Sequence, residues 1–236
     1  MNGLYLAASG AAFQAAVLEV KAHNLANAST PGFRRLEIVA QSASAAGSPY
    51  QYAAPPRAEP AGGPGMLERT ANPLDVAIVG DGYLAVATDN GEAYTRDGRL
   101  AVASDGTLLN ASGMPLLNPD GDPLAVPPGT LLIDGDGAVT VNGVFQGHLK
   151  LADATDANLE LIGSGLYQNA DGSPLPAEEP AVSSLQQGYL EKSAASPVTG
   201  MVELVNVMRS YESAMHAVST IDQTTQQAIQ AFTFQA

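Results

Sequence analysis

Apolar residues repeat at helical spacing at both ends of the chain. Near the N-terminus they recur at alternating intervals of four and three residues, at Leu4, Ala8, Ala11, Ala15, Leu18, Ala22 and Leu25. Near the C-terminus the same spacing connects Leu204, Met208, Tyr211, Met215 and Val218, and its phase returns at Ile229 and Phe232. Such spacing keeps one stripe of a helix turned toward a partner helix. The pattern predicts two long helices with coiled-coil seams, over about residues 3–27 and 197–231.

Residues that favour helix ends bound both segments. Pro31 cannot continue a helix and Gly32 tolerates a positive φ, so the first helix should stop near Asn27. Ser196 followed by Pro197 is typical of a helix start, with Ser as the N-cap and Pro at the first helical position. The boundaries therefore agree with the limits of the apolar stripes.

The middle of the chain has a different pattern, in which short apolar runs alternate with Asp-Gly and Asn-Gly pairs. The runs include Leu74–Val79, Tyr83–Ala87, Arg99–Ala103, Leu131–Ile133, Val139–Val141 and Leu149–Leu151. The Gly-containing pairs supply the positive φ angles that tight hairpins need. The spacing of runs and turns predicts an all-β, mostly antiparallel domain.

Together these patterns predict an α+β fold in four parts. The parts are an N-terminal axial helix with its stop motif at 1–36, an Ala/Pro/Gly-rich connector at 37–71, a central β-domain at 72–187 and a C-terminal axial helix at 188–236. We expect an extended connector, because its composition leaves no apolar periodicity. The β-domain is expected to be carried on the terminal helices, which would form a coiled-coil-like bundle in an assembly.

The composition narrows the classes of function. The 236 residues include 10 Lys and Arg against 24 Asp and Glu, a formal net charge of -14. Binding to phosphates needs clustered Lys and Arg, so we expect neither nucleic acid nor an anionic membrane surface as a partner. The chain has no cysteine, which excludes thiolate chemistry and disulfides. The first residues lack the basic region of a cleaved Sec-type signal, and no apolar run predicts insertion into a membrane.

Candidate chemical sites are sparse. Asn118, Asp120 and Asp122 alternate in a turn as calcium ligands do, but the bidentate Glu that completes an EF-hand loop is missing. The chain has three histidines, His23, His148 and His216. None of them has a catalytic or metal-binding partner nearby in sequence. We therefore predict no catalytic, cofactor-binding or metal site, and interpret the acidic turns as hairpins.

Several stretches of the chain resemble the family of flagellar rod and hook proteins. The matching stretches are AHNLANASTPGF at 22–33, DVAIVGDGY at 75–83, YTRDG at 94–98, GYLE at 188–191, MVEL at 201–204 and RSYE at 209–212. They follow one another in the order of the family and span essentially the whole chain. The stretch SAAS at 193–196 departs from the Ser-Asn-Val-Asn/Asp sequence that usually precedes the C-terminal helix.

The resemblance implies a structural subunit of the bacterial flagellar basal-body rod rather than an enzyme. It implies other rod proteins and the flagellar type III export apparatus as partners, export without a cleaved signal, and a place in the rod within the periplasmic space. Because the chain is short and has only the Ala/Pro-rich connector, it is most similar to proximal-rod members. Distal-rod members are the alternative within the family.

In a rod, the terminal helices of neighbouring subunits would pack together and transmit motor torque. The candidate assembly residues are the two apolar stripes, together with Asn24 and Asn27 near the end of the first helix. Two other classes are weighed against this hypothesis. One is a soluble β-domain binding or adhesin module whose helices pack on itself, and the other is a calcium-dependent surface protein.

Overall fold

The computed structural model describes residues 2–39, 42–44, 51–53, 57–61, 63–152, 159–163, 165–176 and 183–233, with only the backbone at 2–6, 42–44, 51–53, 228, 229 and 231–233. Helix α1 spans Asn2–Ala26 and helix α2 spans Pro197–Thr233. Between them the described residues form the strands β1 (Leu36–Val39), β2 (Ser42–Ser44), β3 (Gln51–Ala53), β4 (Arg57–Pro60), β5 (Leu67–Arg69), β6 (Val76–Val79), β7 (Tyr83–Thr88), β8 (Gly91–Thr95), β9 (Leu100–Val102), β10 (Leu108–Asn110), β11 (Leu131–Ile133), β12 (Ala138–Val141), β13 (Val144–His148), β14 (Leu151–Ala152), β15 (Leu159–Gly163), β16 (Leu166–Asn169), β17 (Ser184–Gln187) and β18 (Tyr189–Glu191).

Both helices end or begin close to the predicted residues. α1 ends at Ala26, and α2 begins at Pro197. Ser196 starts α2: its carbonyl oxygen accepts the N–H of Gly200 at 2.8 Å, and its hydroxyl oxygen lies 3.5 Å from the N–H of Thr199. Among the described residues, neither helix combines the length and low polarity that crossing a membrane requires.

The chain divides into two compact units. The helical unit contains α1, α2 and residues 36–59, and the β-unit contains residues 27–35 and 60–195. In the helical unit β1 pairs with β4 and β2 pairs with β3, so part of the predicted extended connector forms short strands. Strands of three or four residues leave too little alternation to be recognised in sequence. Residues 45–50 and 54–56 of the connector lie outside the described residues.

The β-unit is built from antiparallel strand pairs, which confirms the predicted α+β fold. Its largest sheet has the order β14-β7-β8-β16-β15, and a second sheet has the order β11-β12-β13. Two further pairs join strands that are distant in sequence: β6 with β17 and β5 with β18. These long-range pairs connect the beginning of the β-unit to its end.

The core of the β-unit is aliphatic, as expected for a chain without tryptophan. Its fully buried members include Val76, Leu84, Leu108 and Val139. A second buried cluster contains three tyrosines, Tyr83, Tyr94 and Tyr167, and the rings of Tyr83 and Tyr167 meet edge to face at 5.5 Å. Tyrosine thus supplies the aromatic packing of this second cluster.

Candidate assembly interface

The two terminal helices pack against each other in antiparallel orientation. Lys21 of α1 forms an ion pair with Glu203 of α2, with 2.6 Å between Nζ and Oε2. Nearer the end of α1, a Cβ added to Gly200 would lie 3.4 Å from Cδ1 of Leu25. Because the later residue of α1 contacts the earlier residue of α2, the two helices run in opposite directions. Gly200 and Leu25 thus face each other where the helices meet.

Helix α2 is longer than the partner that covers it. At about 1.5 Å per residue, the 25 residues of α1 extend about 37 Å and the 37 residues of α2 about 55 Å. Continuing the register of the helix pair places Asn2 beside about residue 222. In agreement, every described side chain from Asp222 to Gln227 is exposed. The final turns of α2 thus extend past the beginning of α1.

One stripe of α2 is half-buried, and we name it the α2 seam. It contains Leu204, Val207, Tyr211, Ala214, Val218 and Ile221, which follow one another at alternating intervals of three and four residues. Because α1 is the element that packs most extensively against α2, we assign this seam to the contact within the chain. The predicted residues Leu204, Tyr211 and Val218 lie on it.

A second apolar stripe of α2 is exposed, and we name it the Val/Met stripe. Its members, with the exposed fraction of each residue, are Val198 (76%), Met201 (57%), Val202 (60%), Val205 (49%), Met208 (45%) and Met215 (45%). Val205, Met208 and Met215 each follow a seam residue by one position, which turns them about 100° around the helix. The predicted assembly residues Met208 and Met215 therefore lie on a face that the described part of the chain leaves open.

The apolar stripe of α1 is distributed over buried and exposed positions. Ala11 is 5% exposed, Ala15, Leu18 and Leu25 are half-buried, and Ala8 and Ala22 are exposed. The side chains of Leu4 in α1 and of Ile229 and Phe232 in α2 lie outside the described residues. The helix pair within the chain thus leaves Ala8 and Ala22 of this stripe uncovered.

Asn24 forms hydrogen bonds through its side-chain amide, and Asn27 accepts them through its backbone carbonyl. The Asn24 amide is 5% exposed, donates to the carbonyl oxygen of Leu36 and accepts the N–H of Leu36, both at 2.8 Å. It thereby fixes the start of β1 beside α1 in the helical unit. Within the β-unit, the carbonyl oxygen of Asn27 accepts bonds from Thr30 N–H and the Ser193 hydroxyl, both at 3.0 Å. Asn24 thus holds a segment close in sequence, and Asn27 joins the turn after α1 to the distant Ser193.

The turn that follows α1 is held tightly within the β-unit. Gly32 has φ +66°, and a Cβ at this position would collide with the backbone carbonyl of Arg96. The Gly32 N–H donates to the carbonyl oxygen of Glu191 at 2.8 Å, and Phe33 accepts a bond from the N–H of Ala194 at 2.9 Å. Only glycine combines this φ with so close a backbone approach.

The side chains of Arg96 and Glu191 form a buried ion pair, which we name the anchor pair. Their side chains are 0% and 1% exposed, and Arg96 Nη2 lies 2.8 Å from Glu191 Oε2. Arg96 also donates through Nη1 to the carbonyl oxygen of Gly82 at 2.6 Å and through Nη2 to that of Ile78 at 3.1 Å. Glu191 Oε1 accepts the N–H of Gly65 at 2.7 Å. The anchor pair thus joins strands and loops from both ends of the β-unit.

The sequence reasoning missed the anchor pair as a structural element. Arg96 and Glu191 belong to two of the stretches that carry the family resemblance, YTRDG and GYLE, so their presence in those stretches was the available signal. What the sequence does not show is that two residues 95 positions apart meet in one buried contact.

Two buried tyrosines of the β-unit, Tyr83 and Tyr94, are held in their neutral form. Burial raises the pKa of Tyr83, while the positive charges of Arg34 and Arg96 act in the opposite direction. Burial likewise raises the pKa of Tyr94 to about 12, although the Leu175 N–H bound to its phenol oxygen lowers it. These phenols therefore serve packing and hydrogen bonding.

The residues considered for calcium or catalysis have structural contacts. Asn118 Oδ1 accepts the N–H groups of Asp120 and Asp122 at 3.0 and 2.9 Å, which closes a turn. His148 meets the ring of Phe145 edge to face at 5.0 Å. Within the described ranges, no three or more metal-binding side chains come together.

Three family models match the chain, in the order of its elements. The model described as flagella basal body rod protein matches residues 4–34, which include most of α1 and its turn. The model of the flagellar hook protein FlgE/F/G D1 domain matches residues 77–141 of the β-unit. The model of the flagellar basal body rod FlgEFG protein C-terminal matches residues 186–231, including most of α2.

Whole-chain relatives give the same result. The flagellar basal-body rod protein FlgF of Salmonella typhimurium is 33% identical over 86% of this chain and 87% of its own length. FlgF of Escherichia coli is 34% identical with the same coverage. The flagellar basal-body rod protein FlgG of Caulobacter vibrioides is 31% identical over 96% of this chain and 97% of its own length. These similarities cover both helices and the β-unit.

Proposed function

The chain belongs to the flagellar basal-body rod protein family, and from this premise we propose that it is a FlgF-type subunit of the proximal rod that assembles through its terminal helices. Family membership makes it a structural protein and not an enzyme. The identity of 33–34% to two FlgF proteins supports the proximal position.

The observation that carries this assembly mode is the exposed Val/Met stripe of α2. The α2 seam is used within the chain, so a second apolar face is available for a neighbour. Its members at 198, 201, 205, 208 and 215 keep the alternating intervals of a heptad seam, with the exposed Glu212 at the remaining position. We take a second copy of this chain as the occupant, because its helix α1 has exposed apolar positions, Ala8 and Ala22, against which the Val/Met stripe can pack.

An interface between α2 of one copy and a different surface of the next would be heterologous. Heterologous contacts that do not close into a ring build helical filaments. Such an assembly has the geometry that a rod needs, and burying apolar stripes along its length would make it stiff enough to transmit torque.

Family membership also supports a proposal for where the protein lies in the cell and how it is exported. We place the protein in the basal-body rod, in the periplasmic space, with other rod proteins as its neighbours. Export through the flagellar type III apparatus would bring it there without a cleaved signal.

A distal-rod, FlgG-type position is the second candidate. It is favoured by the 31% identity to the Caulobacter vibrioides FlgG over 96% of the chain. Complementation separates the two positions: a strain lacking its FlgF-type gene should regain rods with this chain, whereas a strain lacking its FlgG-type gene should not. The opposite pattern would assign the chain to the distal rod.

The assembly mode is tested by placing a charge on the Val/Met stripe. Met208→Asp should weaken self-association of the purified full-length chain by roughly tenfold or more, because an unpaired carboxylate would be buried against apolar side chains. Sedimentation velocity over a concentration series measures this change. The matched control is Asn206→Asp, which adds the same charge at an exposed position about 160° around the helix from Met208.

Circular dichroism of both variants checks that α2 is still formed. If Met208→Asp associates as strongly as the unmodified chain, the Val/Met stripe is not the interface. Equal losses in the two variants would mean that net charge, rather than this face, controls association.

A further inference from the structure

The methionines of the Val/Met stripe lie on one line along α2. Met201, Met208 and Met215 are separated by seven residues, so they stand above one another with a drift of only about 20° per interval. They are three of the six methionines of the chain. Elsewhere, Met66 is 79% exposed in the β-unit, and Met114 is half-buried against its aliphatic core.

From this arrangement we infer that the three aligned methionines are an oxidative modification site, where hydroperoxides switch off association through α2. The inference rests on the proposed assembly function. The thioethers are reachable, since each residue is 45–57% exposed. The chain has no cysteine, so no thiol within it competes for the oxidant.

The reaction is a two-electron oxidation of each thioether. The sulfur takes one oxygen atom from the hydroperoxide and becomes a sulfoxide, and the oxygen–oxygen bond breaks. When the oxidant is hydrogen peroxide, the other product is water. A sulfoxide is polar and chiral where the thioether was apolar and flexible. Methionine sulfoxide reductases reverse the change, so the site can be reset.

The position of the sulfurs makes the change effective. The other members of the stripe are the valines Val198, Val202 and Val205, which do not react, so the sulfoxides alone alter the face. Each sulfoxide that is buried against a neighbouring helix without a hydrogen-bond donor should weaken association roughly tenfold. None of the three residues belongs to the α2 seam, so the helix pair within the chain should persist.

The experiment treats the full-length chain with hydrogen peroxide. Peptide mass spectrometry follows oxidation at each methionine, and sedimentation velocity measures self-association before and after treatment. The comparison variant replaces the three aligned methionines by leucine (Met201→Leu, Met208→Leu and Met215→Leu), which keeps the apolar face and removes the sulfurs. Met66 provides an exposed internal reference, and Met114 a half-buried one.

At concentrations low enough to keep the chain dissociated, we expect the aligned methionines to oxidise at rates near that of Met66 and faster than Met114. Self-association should fall at least tenfold after oxidation, recover after treatment with the reductases, and be unaffected by peroxide in the leucine variant. The oxidation inference is wrong, while the proposed assembly mode still stands, if oxidised protein associates normally or if peroxide weakens association of the leucine variant as much as that of the unmodified chain. Failure of the untreated chain to associate overturns the proposed assembly mode and this inference with it.

Discussion

Removing one member of the anchor pair should destabilise the β-unit strongly. In Arg96→Met, the carboxylate of Glu191 would stay buried at 1% exposure without its cation. The carbonyl oxygens of Gly82 and Ile78 would lose their donors as well. Breaking a buried ion pair on one side typically costs about 3–5 kcal/mol, and an unsatisfied buried group about 1–3 kcal/mol. We expect the free energy of unfolding to fall by about 3–5 kcal/mol.

The partner substitution separates the ion pair from packing. In the double variant Arg96→Met/Glu191→Leu no charge is left buried, so the loss should be clearly smaller than the sum of the two single losses. Glu191→Leu alone leaves the guanidinium of Arg96 buried without its counter-charge and should cost as much as Arg96→Met.

Urea unfolding is the assay, followed by near-ultraviolet circular dichroism. The buried tyrosines of the β-unit dominate this signal because the chain has no tryptophan. The unfolding slope should stay unchanged, since the surface exposed on unfolding is the same. A loss below about 1 kcal/mol in Arg96→Met, or additive losses in the double variant, would refute the argument, because a buried coupled pair cannot behave as an exposed one.

Three further predictions concern the turn, the tyrosines and the helix pair. Gly32→Ala should lower the urea midpoint far more than Gly143→Ala. Both glycines have positive φ, but only at Gly32 would the added Cβ collide with backbone atoms. Equal effects of the two substitutions would show that φ alone matters. Because the folded pKa of Tyr94 is about 12, above its ordinary value near 10, stability should hold below pH 10 and decline between pH 10 and 12. Urea unfolding of Tyr94→Phe at several pH values should show a shallower decline, and an identical decline would contradict this assignment. Glu203→Gln should cost at most about 1 kcal/mol in thermal unfolding, less in high salt, because the ion pair with Lys21 is partly exposed; a larger, salt-independent loss would mean that the pair is effectively buried.

Local signals predicted the elements of this fold well. The helix limits near Asn27 and Pro197 follow from Pro, Gly and Ser at the boundaries, and the actual helices end at Ala26 and begin at Pro197. Several strands, among them β7 and β11, coincide closely with apolar runs between Asp-Gly or Asn-Gly turns. These features depend on neighbours in sequence, which is why a single chain reveals them.

Features that depend on distant residues were not predictable in the same way. The pairing of β5 with β18 joins residues about 120 positions apart, for example Arg69 with Tyr189, and no local pattern encodes it.

The two faces of α2 show a subtler limit. Intervals of three and four residues connect apolar residues through Met208 and equally, one residue earlier, through Val207. The two neighbouring stripes of α2 therefore look alike in sequence, because they have the same period. Only the packed helix pair shows which of the two is covered.

Electron microscopy of isolated basal bodies can show directly whether the chain builds the rod through the Val/Met stripe. The gene should be deleted in its own organism and restored as the unmodified chain, as Met208→Asp or as Asn206→Asp. We expect basal bodies without distal rod and hook in the deletion strain and with Met208→Asp, and complete structures with the unmodified chain and with Asn206→Asp. Complete, motile flagella in the deletion strain would contradict the role in the rod, and complete structures with Met208→Asp would contradict assembly through the Val/Met stripe.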